Sequence, residues 1–285
     1  MNYVFFGSPR FAAIVLEKLL GAGMPPIAVV CNPDRPVGKK KILTAPPVKI
    51  GIMNYELRIR ESKSTAEKIK IFQPEKPSEI GNELVALVPD FFVVAAYAHI
   101  IGGDILNIPR LGTIGVHPSL LPKYRGATPI QSALLVGEKE TGVTLFLIDE
   151  KMDHGPILMN NELRITNNDT YFTLEGKLAL LGGEMLVKLI PVFFAGKIKP
   201  APQNHGEATF ARKFETADAE ADFQNDPPEK IYRMYQAFTP EPGLWSINFP
   251  NHEGERVKIL EASFAAGKLA VKKIHIAGKK PRTIG

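Results

Sequence analysis

A single cysteine, Cys31, stands in 285 residues, which excludes an internal disulfide and any cysteine-rich metal site. The six histidines, at 99, 117, 154, 205, 252 and 275, include no pair at the four-residue spacing that sets two ligands on one helical face, so no metal is expected. No run of about 18 apolar residues occurs, and no basic stretch followed by an apolar one precedes the first strand-like run at Tyr3 to Phe6. Neither a membrane span nor a secretory leader is therefore expected, and a cytoplasmic protein is. The turn Gly7-Ser8-Pro9 is not G-x-G-x-x-G, so no dinucleotide site is read from it. Internal repeats and low-complexity segments are absent as well.

What is present suffices for a real core. The length suits one large or two ordinary domains, and 45% hydrophobic with 23% charged residues is the balance of a soluble globular chain. The net charge of +5 is modest but concentrated, in Gly38 to Lys41 and in Lys268 to Arg282, the latter with six Lys or Arg and no acid. Such clusters favour a polyanion such as RNA through counterion release. The competing reading is a solvated face that blunts a sheet edge.

Two motifs organise the rest. Gly112 to Gly126 reads GTIGVHPSLLPKYRG, a strand that delivers His117 where Pro118 forces the chain out of the ladder. Asp149 to Leu158 reads DEKMDHGPIL, an acidic turn after the apolar run Val143 to Ile148. An imidazole and the Asp153 carboxylate are thereby placed at the carboxyl ends of neighbouring strands, the edge where open α/β sheets bind ligands.

These residues resemble the folate-dependent formyltransferase family, most closely its branch acting on methionyl-tRNA. VFFGSPRFA from Val4, NPDRP from Asn32 and FTPEPG from Phe238 match in the same order, so the resemblance covers nearly the whole chain. It implies a Rossmann-like, doubly wound, mostly parallel α/β sheet over 1–200, followed by a small OB-like β-barrel domain over 207–285 that is shortened and binds tRNA. It further implies 10-formyltetrahydrofolate as formyl donor, initiator methionyl-tRNA as acceptor, no metal, and a monomer. By resemblance His117 is the acid–base group with Asp153 as partner, a carboxylate favouring the imidazolium beside a developing oxyanion. Tyr97, Ala98 and Ile100, with Ser119, Leu120, Leu121 and Pro122, line the folate carrier. Arg35, Lys39, Lys40 and Lys41 contact tRNA phosphates, although the Gly38 to Lys41 core has no arginine to offer a guanidinium fork. Arg125 either orients substrate or pairs with an acid, and His99 is a local hydrogen-bonding residue.

One departure stands at the centre of the motif. The family carries asparagine two residues before the histidine, a donor to the formyl oxygen, and this chain has Gly115. Losing one oxyanion donor costs roughly a hundredfold to a thousandfold in rate. A neighbouring donor or ordered water replaces it, or the rate is reduced, or activity is lost; on retained activity, Gly115→Asn should raise turnover. The alternatives are formylation of an amino sugar nucleotide or of glycinamide ribonucleotide, or a catalytically silent tRNA-binding homologue.

Locally, the pattern predicts a strand at Tyr3 to Phe6, a helix carrying Phe11, Ile14, Val15 and Leu19, and strands at Ile27 to Cys31 and Phe91 to Ala96. Residues 33–47 are expected to be a long surface loop, and 51–70 a short helix with an exposed turn. Thr128 caps a helix ending at Gly137. A long apolar-periodic helix, interrupted by Gly182-Gly183 and Pro191, covers the sheet up to about Ala195, and Lys197 to Gly206 is a linker. Asp226 opens a capping-box-like start for a helix with Ile231, Met234, Tyr235 and Phe238 on one face. Strands follow at Trp245 to Phe249, Arg256 to Leu260 and Lys268 to Ile276.

Overall fold

The structure of the protein, a computed structural model, describes residues 1–38, 40–61 and 68–284. In order it contains β1 (Tyr3–Phe6), α1 (Arg10–Gly21), β2 (Ala28–Val30), β3 (Arg35–Val37), β4 (Ile42–Thr44), α2 (Pro47–Glu61), β5 (Lys70–Phe72), α3 (Gly81–Ala86), β6 (Phe91–Ala95), α4 (Gly103–Leu106) and β7 (Thr113–His117). There follow β8 (Arg125–Gly126), α5 (Pro129–Val136), β9 (Glu140–Leu147), β10 (Ile157–Arg164), α6 (Tyr171–Phe194), β11 (Phe210–Ala211), α7 (Pro228–Phe238), β12 (Trp245–Ser246), β13 (Val257–Ala265), β14 (Lys268–Ile276) and β15 (Arg282–Thr283). Two compact units result: Met1–Pro122, Gly142–Asn161 and Gly176–Ala208 form the first, and Lys123–Thr141, Glu162–Glu175 and Thr209–Gly285 the second.

The first unit is built on a seven-stranded sheet in the order β10-β9-β7-β6-β1-β2-β5. Pairs β1/β2, β1/β6, β2/β5 and β6/β7 are parallel, and β7/β9 is antiparallel. Strands buried on both faces read as continuous apolar runs, as Tyr3 to Phe6 and Phe91 to Val93 do, all at 0% exposure. Tyr3 stacks on Phe91 and Phe6 packs on Phe92, and burying each such ring is worth about 1.5–3 kcal/mol. The chain runs outward from β1 through β2 to β5, then returns to β6 on the other side of β1. Strand order reverses between β1 and β6, and their carboxyl ends form the switch point.

Helix α6 runs unbroken through Gly182-Gly183 and carries Pro191 inside it. The glycines are points of close approach rather than breaks: a Cβ on Gly182 would lie 2.9 Å from Val116 Cγ1, and one on Gly183 would lie 2.6 Å from Lys18 Cβ.

Several local expectations need correction. Residues 35–44 are not an irregular loop but a two-stranded antiparallel ribbon, with Val37 opposite Ile42. Gly38 supplies the positive φ of 71° that the tight connection requires. Helix α2 is 15 residues long, starting at Pro47 and burying Val48 and Ile52; the exposed turn expected beyond it lies largely outside the described residues. Thr128 stands at the N-cap of α5 but makes no cap bond; its hydroxyl donates to the Arg212 carbonyl, whereas Gly137 closes the helix at φ 79° as expected. Asp226 forms no capping box, because α7 begins after Pro227 and the Asp226 carboxylate pairs with Lys230. The segment read as a linker is bound into the first unit: Ala201 exchanges backbone hydrogen bonds of 2.8 and 2.7 Å with Ile157. Buried Gln203 donates from Nε2 to the carbonyls of Asp153 and Gly155 at 2.9 and 2.7 Å.

The second unit contains a four-stranded antiparallel sheet, β12-β13-β14-β15, with α5 packed on α7. Ile231, Met234, Tyr235 and Phe238 are buried along α7, and Tyr232 stacks on Phe264 of β13. Arg256 lies 3.9 Å over the Trp245 ring.

Candidate active site

His117 ends β7, whose five residues are all buried, and Pro118 carries the chain out of the sheet. Val116 is held in register with Ala95 of β6, and His117 lies opposite Thr144 of β9. Asp153 sits in the turn joining β9 to β10 with φ 49°, a left-handed conformation that aspartate tolerates better than most residues. The two motifs therefore meet. His117 Nδ1 lies 3.6 Å from Asp153 Oδ2, an ion-pair separation longer than a direct hydrogen bond. The imidazole is 7% exposed and the carboxylate 21%, so the carboxylate is the more accessible of the two.

The turn after His117 is pinned by a residue that no local pattern singled out. Thr144, fully buried, donates from Oγ1 to the Ser119 carbonyl at 2.7 Å and accepts from the Leu121 N–H at 3.0 Å. Ser119 and Leu121 are buried, and Leu120 and Pro122 half-buried. Within the turn 149–155, His154 Nδ1 approaches Asp149 Oδ2 at 2.7 Å. Gly155 admits no side chain, because a Cβ there would lie 1.8 Å from the Leu147 carbonyl oxygen.

Gly115 pairs with Phe146 across β7 and β9, and directly opposed residues in a ladder face the same side. The Phe146 ring fills the space above the glycine. A Cβ on residue 115 would meet Phe146 Cε1 at 2.4 Å and Cζ at 2.7 Å. A side chain at position 115 therefore requires the Phe146 ring to move. Phe146 was invisible in the sequence because its role depends on cross-strand register.

The loop leaving β6 runs beside the one leaving β7, since their strands are parallel neighbours. Ala96 has φ 47°, and Tyr97 packs edge-on against Phe6 at 5.6 Å. The Tyr97 hydroxyl is buried without a hydrogen-bond partner, and burial together with Cys31 and Glu79 pushes it up to about 12, so it remains a donor. Ala98 is exposed, and Ile100 is 94% exposed. A buried donor and an uncovered apolar side chain on one loop fit a ligand with a polar edge and an apolar body, as a folate carrier has. His99 Nε2 lies 3.1 Å from Asn32 Oδ1, the local bond expected of it.

The ribbon β3/β4 is clamped at its base. Lys49 Nζ meets both Asp34 carboxylate oxygens at 2.9 Å and Gln73 Oε1 at 2.8 Å, while Gln73 Nε2 donates to the Asn32 carbonyl and Asp34. The Gln73 and Lys49 hydrogen bonds hold the Asp34 carboxyl below the usual range. Arg35 pairs with Glu75 at 2.6 Å, whereas Lys40 and Lys41 are exposed at the tip; Lys39 lies outside the described residues. Arg125 is buried in β8 of the second unit, where β8 pairs with β11. Among the described residues, no group of three or more His, Cys, Asp or Glu is arranged to hold a metal ion, and no helix is long and apolar enough to cross a membrane.

Comparison with known proteins places the motifs in context. Residues 1–190 match the family model described as formyl transferase, and residues 213–284 the one described as formyl transferase, C-terminal domain. The chain is 38% identical over 268 residues to the methionyl-tRNA formyltransferase of Chloroflexus aurantiacus, covering 93% of this chain and 81% of that one. It is 40% identical over 268 residues to the enzyme of the same name from Anaeromyxobacter dehalogenans, covering 93% and 80%. Among solved structures, methionyl-tRNA formyltransferase from Clostridium thermocellum superposes with a TM-score of 0.61 at 17% identity, over 97% of this chain and 98% of that one, a likeness of fold.

Proposed function

The chain belongs to the formyl transferase family, and from that premise we propose that it transfers the formyl group of 10-formyltetrahydrofolate to the amino group of methionyl-initiator-tRNA, in the cytoplasm, to support translation initiation. The observation that carries this reading is the His117–Asp153 pair, 3.6 Å apart and partly exposed at the carboxylate.

The folate supplies the formyl group at a carbon open to attack by the amine. His117 presents a proton toward the oxygen on which negative charge develops, and the Asp153 carboxylate stabilises the charged imidazole and accepts the amine's proton through a relay. The bond between the formyl carbon and the folate nitrogen then breaks, and that nitrogen takes up the proton the amine has lost, releasing tetrahydrofolate. Tyr97 and Ile100, with Leu120 and Pro122, hold the carrier. With Phe146 over Gly115, His117 is the side-chain donor that β7 itself offers to that oxygen. The chemistry then proceeds without the family's second donor, which costs roughly 3 to 4 kcal/mol in the barrier. Lys40 and Lys41 at the ribbon tip meet tRNA phosphates, and so does Lys39 by its place in the sequence, with residues 207–285 as the second RNA-binding part and 1–200 as the catalytic domain. The protein acts as a monomer.

The test is single-turnover formylation of methionyl-initiator-tRNA by excess enzyme, comparing the natural chain with His117→Ala. Product from the natural chain alone supports the reading. A folded natural chain that binds tRNA and forms no product establishes the second reading, a silent tRNA-binding homologue, which the Phe146 ring over Gly115 favours.

A further inference from the structure

We infer that Gln203 is a positioning residue for the reaction, setting the Asp153 carboxylate against His117. It lies in a segment whose Pro, Asn and Gly content reads as a connector, yet its side chain is 94% buried, at 6% exposure. One amide nitrogen serves two carbonyls, those of Asp153 at 2.9 Å and Gly155 at 2.7 Å. A primary amide has two N–H donors, one for each carbonyl, and nothing else of that size and neutral charge offers both.

The turn so gripped is one that would not hold itself. Asp153 has φ 49°, and such a residue persists only where its surroundings over-determine it. Three further ties supply that constraint. The Leu147 N–H donates to the Pro156 carbonyl at 2.9 Å, pressing the turn onto the end of β9, where Gly155 alone fits. Ala201 and Ile157 exchange hydrogen bonds, fixing the register so that Gln203, two residues on, faces the same side as Ala201. The His205 ring stacks on His154 at 4.0 Å and 3°. Gln203 is the member that acts on the peptide of Asp153 itself. Without its N–H groups the buried Gly155 carbonyl and the part-buried Asp153 carbonyl lose this donor, and the turn rotates to find others, taking the carboxylate with it. A displacement on the order of 1 Å near the reacting groups costs about a hundredfold.

The inference rests on the formyl-transfer reading for its kinetic arm only. Gln203→Met keeps the size and removes both donors. In single-turnover formylation it is expected to lower the rate about 30- to 100-fold while leaving half-saturation by methionyl-tRNA within about twofold. In an Asp153→Asn background the same change is expected to cost less than about threefold, because the group it positions is already gone. Crystal structures of the full chain are expected to show the His117–Asp153 separation widened by on the order of 1 Å in Gln203→Met, with the sheet unmoved. Gln203→Glu, which sets a carboxylate against the two carbonyls, serves in the same way should Gln203→Met not fold. Equal losses in the natural and Asp153→Asn backgrounds overturn the inference, as does a variant crystal structure with the Asp153 turn in place. If the natural chain forms no product at any enzyme concentration, formyl transfer itself fails, and the crystal structures decide the positioning role.

Discussion

Replacing Gly115 by asparagine restores the family residue in name but not in place. Gly115 does not have a positive φ, so the backbone accepts a side chain, and removing a glycine from a strand gains about 0.5–1 kcal/mol. Against this stands the Phe146 ring, whose Cε1 would lie 2.4 Å from the new Cβ. Phe146 is 3% exposed, so the ring moves only within the interior, and overpacking there costs about 1–3 kcal/mol. The expected net result for Gly115→Asn is a loss of about 1–2 kcal/mol, read as a fall in Tm of about 2–8 °C, with no gain in turnover. Gly115→Asn with Phe146→Leu removes the ring atoms nearest the new side chain and lets the amide reach the oxygen. An oxyanion donor is worth about a hundredfold to a thousandfold, so the double variant is expected to exceed the natural chain at least about tenfold in single-turnover formylation. Phe146→Leu alone, the control, gains nothing. A Gly115→Asn variant with undiminished Tm and raised turnover would refute the steric argument. A double variant that folds and shows no gain would refute the donor argument.

Thr144→Val is nearly isosteric and removes both bonds to the turn after His117. The buried Leu121 N–H is left unpaired at about 1–3 kcal/mol, and titration with a folate analogue is expected to show weakened binding with tRNA affinity unchanged. Lys40→Ala and Lys41→Ala are each expected to lower the slope of log affinity for tRNA against log salt by about 1, whereas Arg35→Ala, whose guanidinium is held by Glu75, is expected to change it less; filter binding across salt concentrations decides. Asp222 accepts hydrogen bonds from Asn225, Asn248 and two backbone N–H groups and is lowered to about 2. With an unfolded value of about 3.9, its stabilising contribution is present above that pH and lost as pH falls toward 2. Thermal unfolding between pH 5 and pH 2 is expected to show a shallower acid dependence in Asp222→Asn than in the natural chain.

How much of this was legible follows from which interactions are local. The strand at Lys268 to Ile276 has the observed bounds, and β1, β6 and β7 were readable because a buried parallel strand announces itself by an unbroken apolar run. His117 and Asp153 were legible because each sits where a strand meets a turn with proline or glycine fixed in place. The caps were misjudged where a competing partner took the side chain, Arg212 for Thr128 and Lys230 for Asp226. The ribbon at 35–44 reads as a loop because Pro36, Gly38 and three lysines outweigh the single Val37–Ile42 pair. Phe146, Thr144 and Gln203 belong to another class. Each acts on a residue 25 or more positions away in sequence, or across a strand pair whose register no periodicity reveals, and each sits in an ordinary local context. Phe146 in an apolar run is core, Thr144 beside it is a β-former, and Gln203 among Pro and Asn is a connector. The proposed reacting groups are therefore legible in the sequence, and the side chains packed around them are not. Glycine at 115 acquires its physical meaning from the ring paired opposite: the two positions share one packing arrangement across two strands, and a change at either is read correctly only with the other.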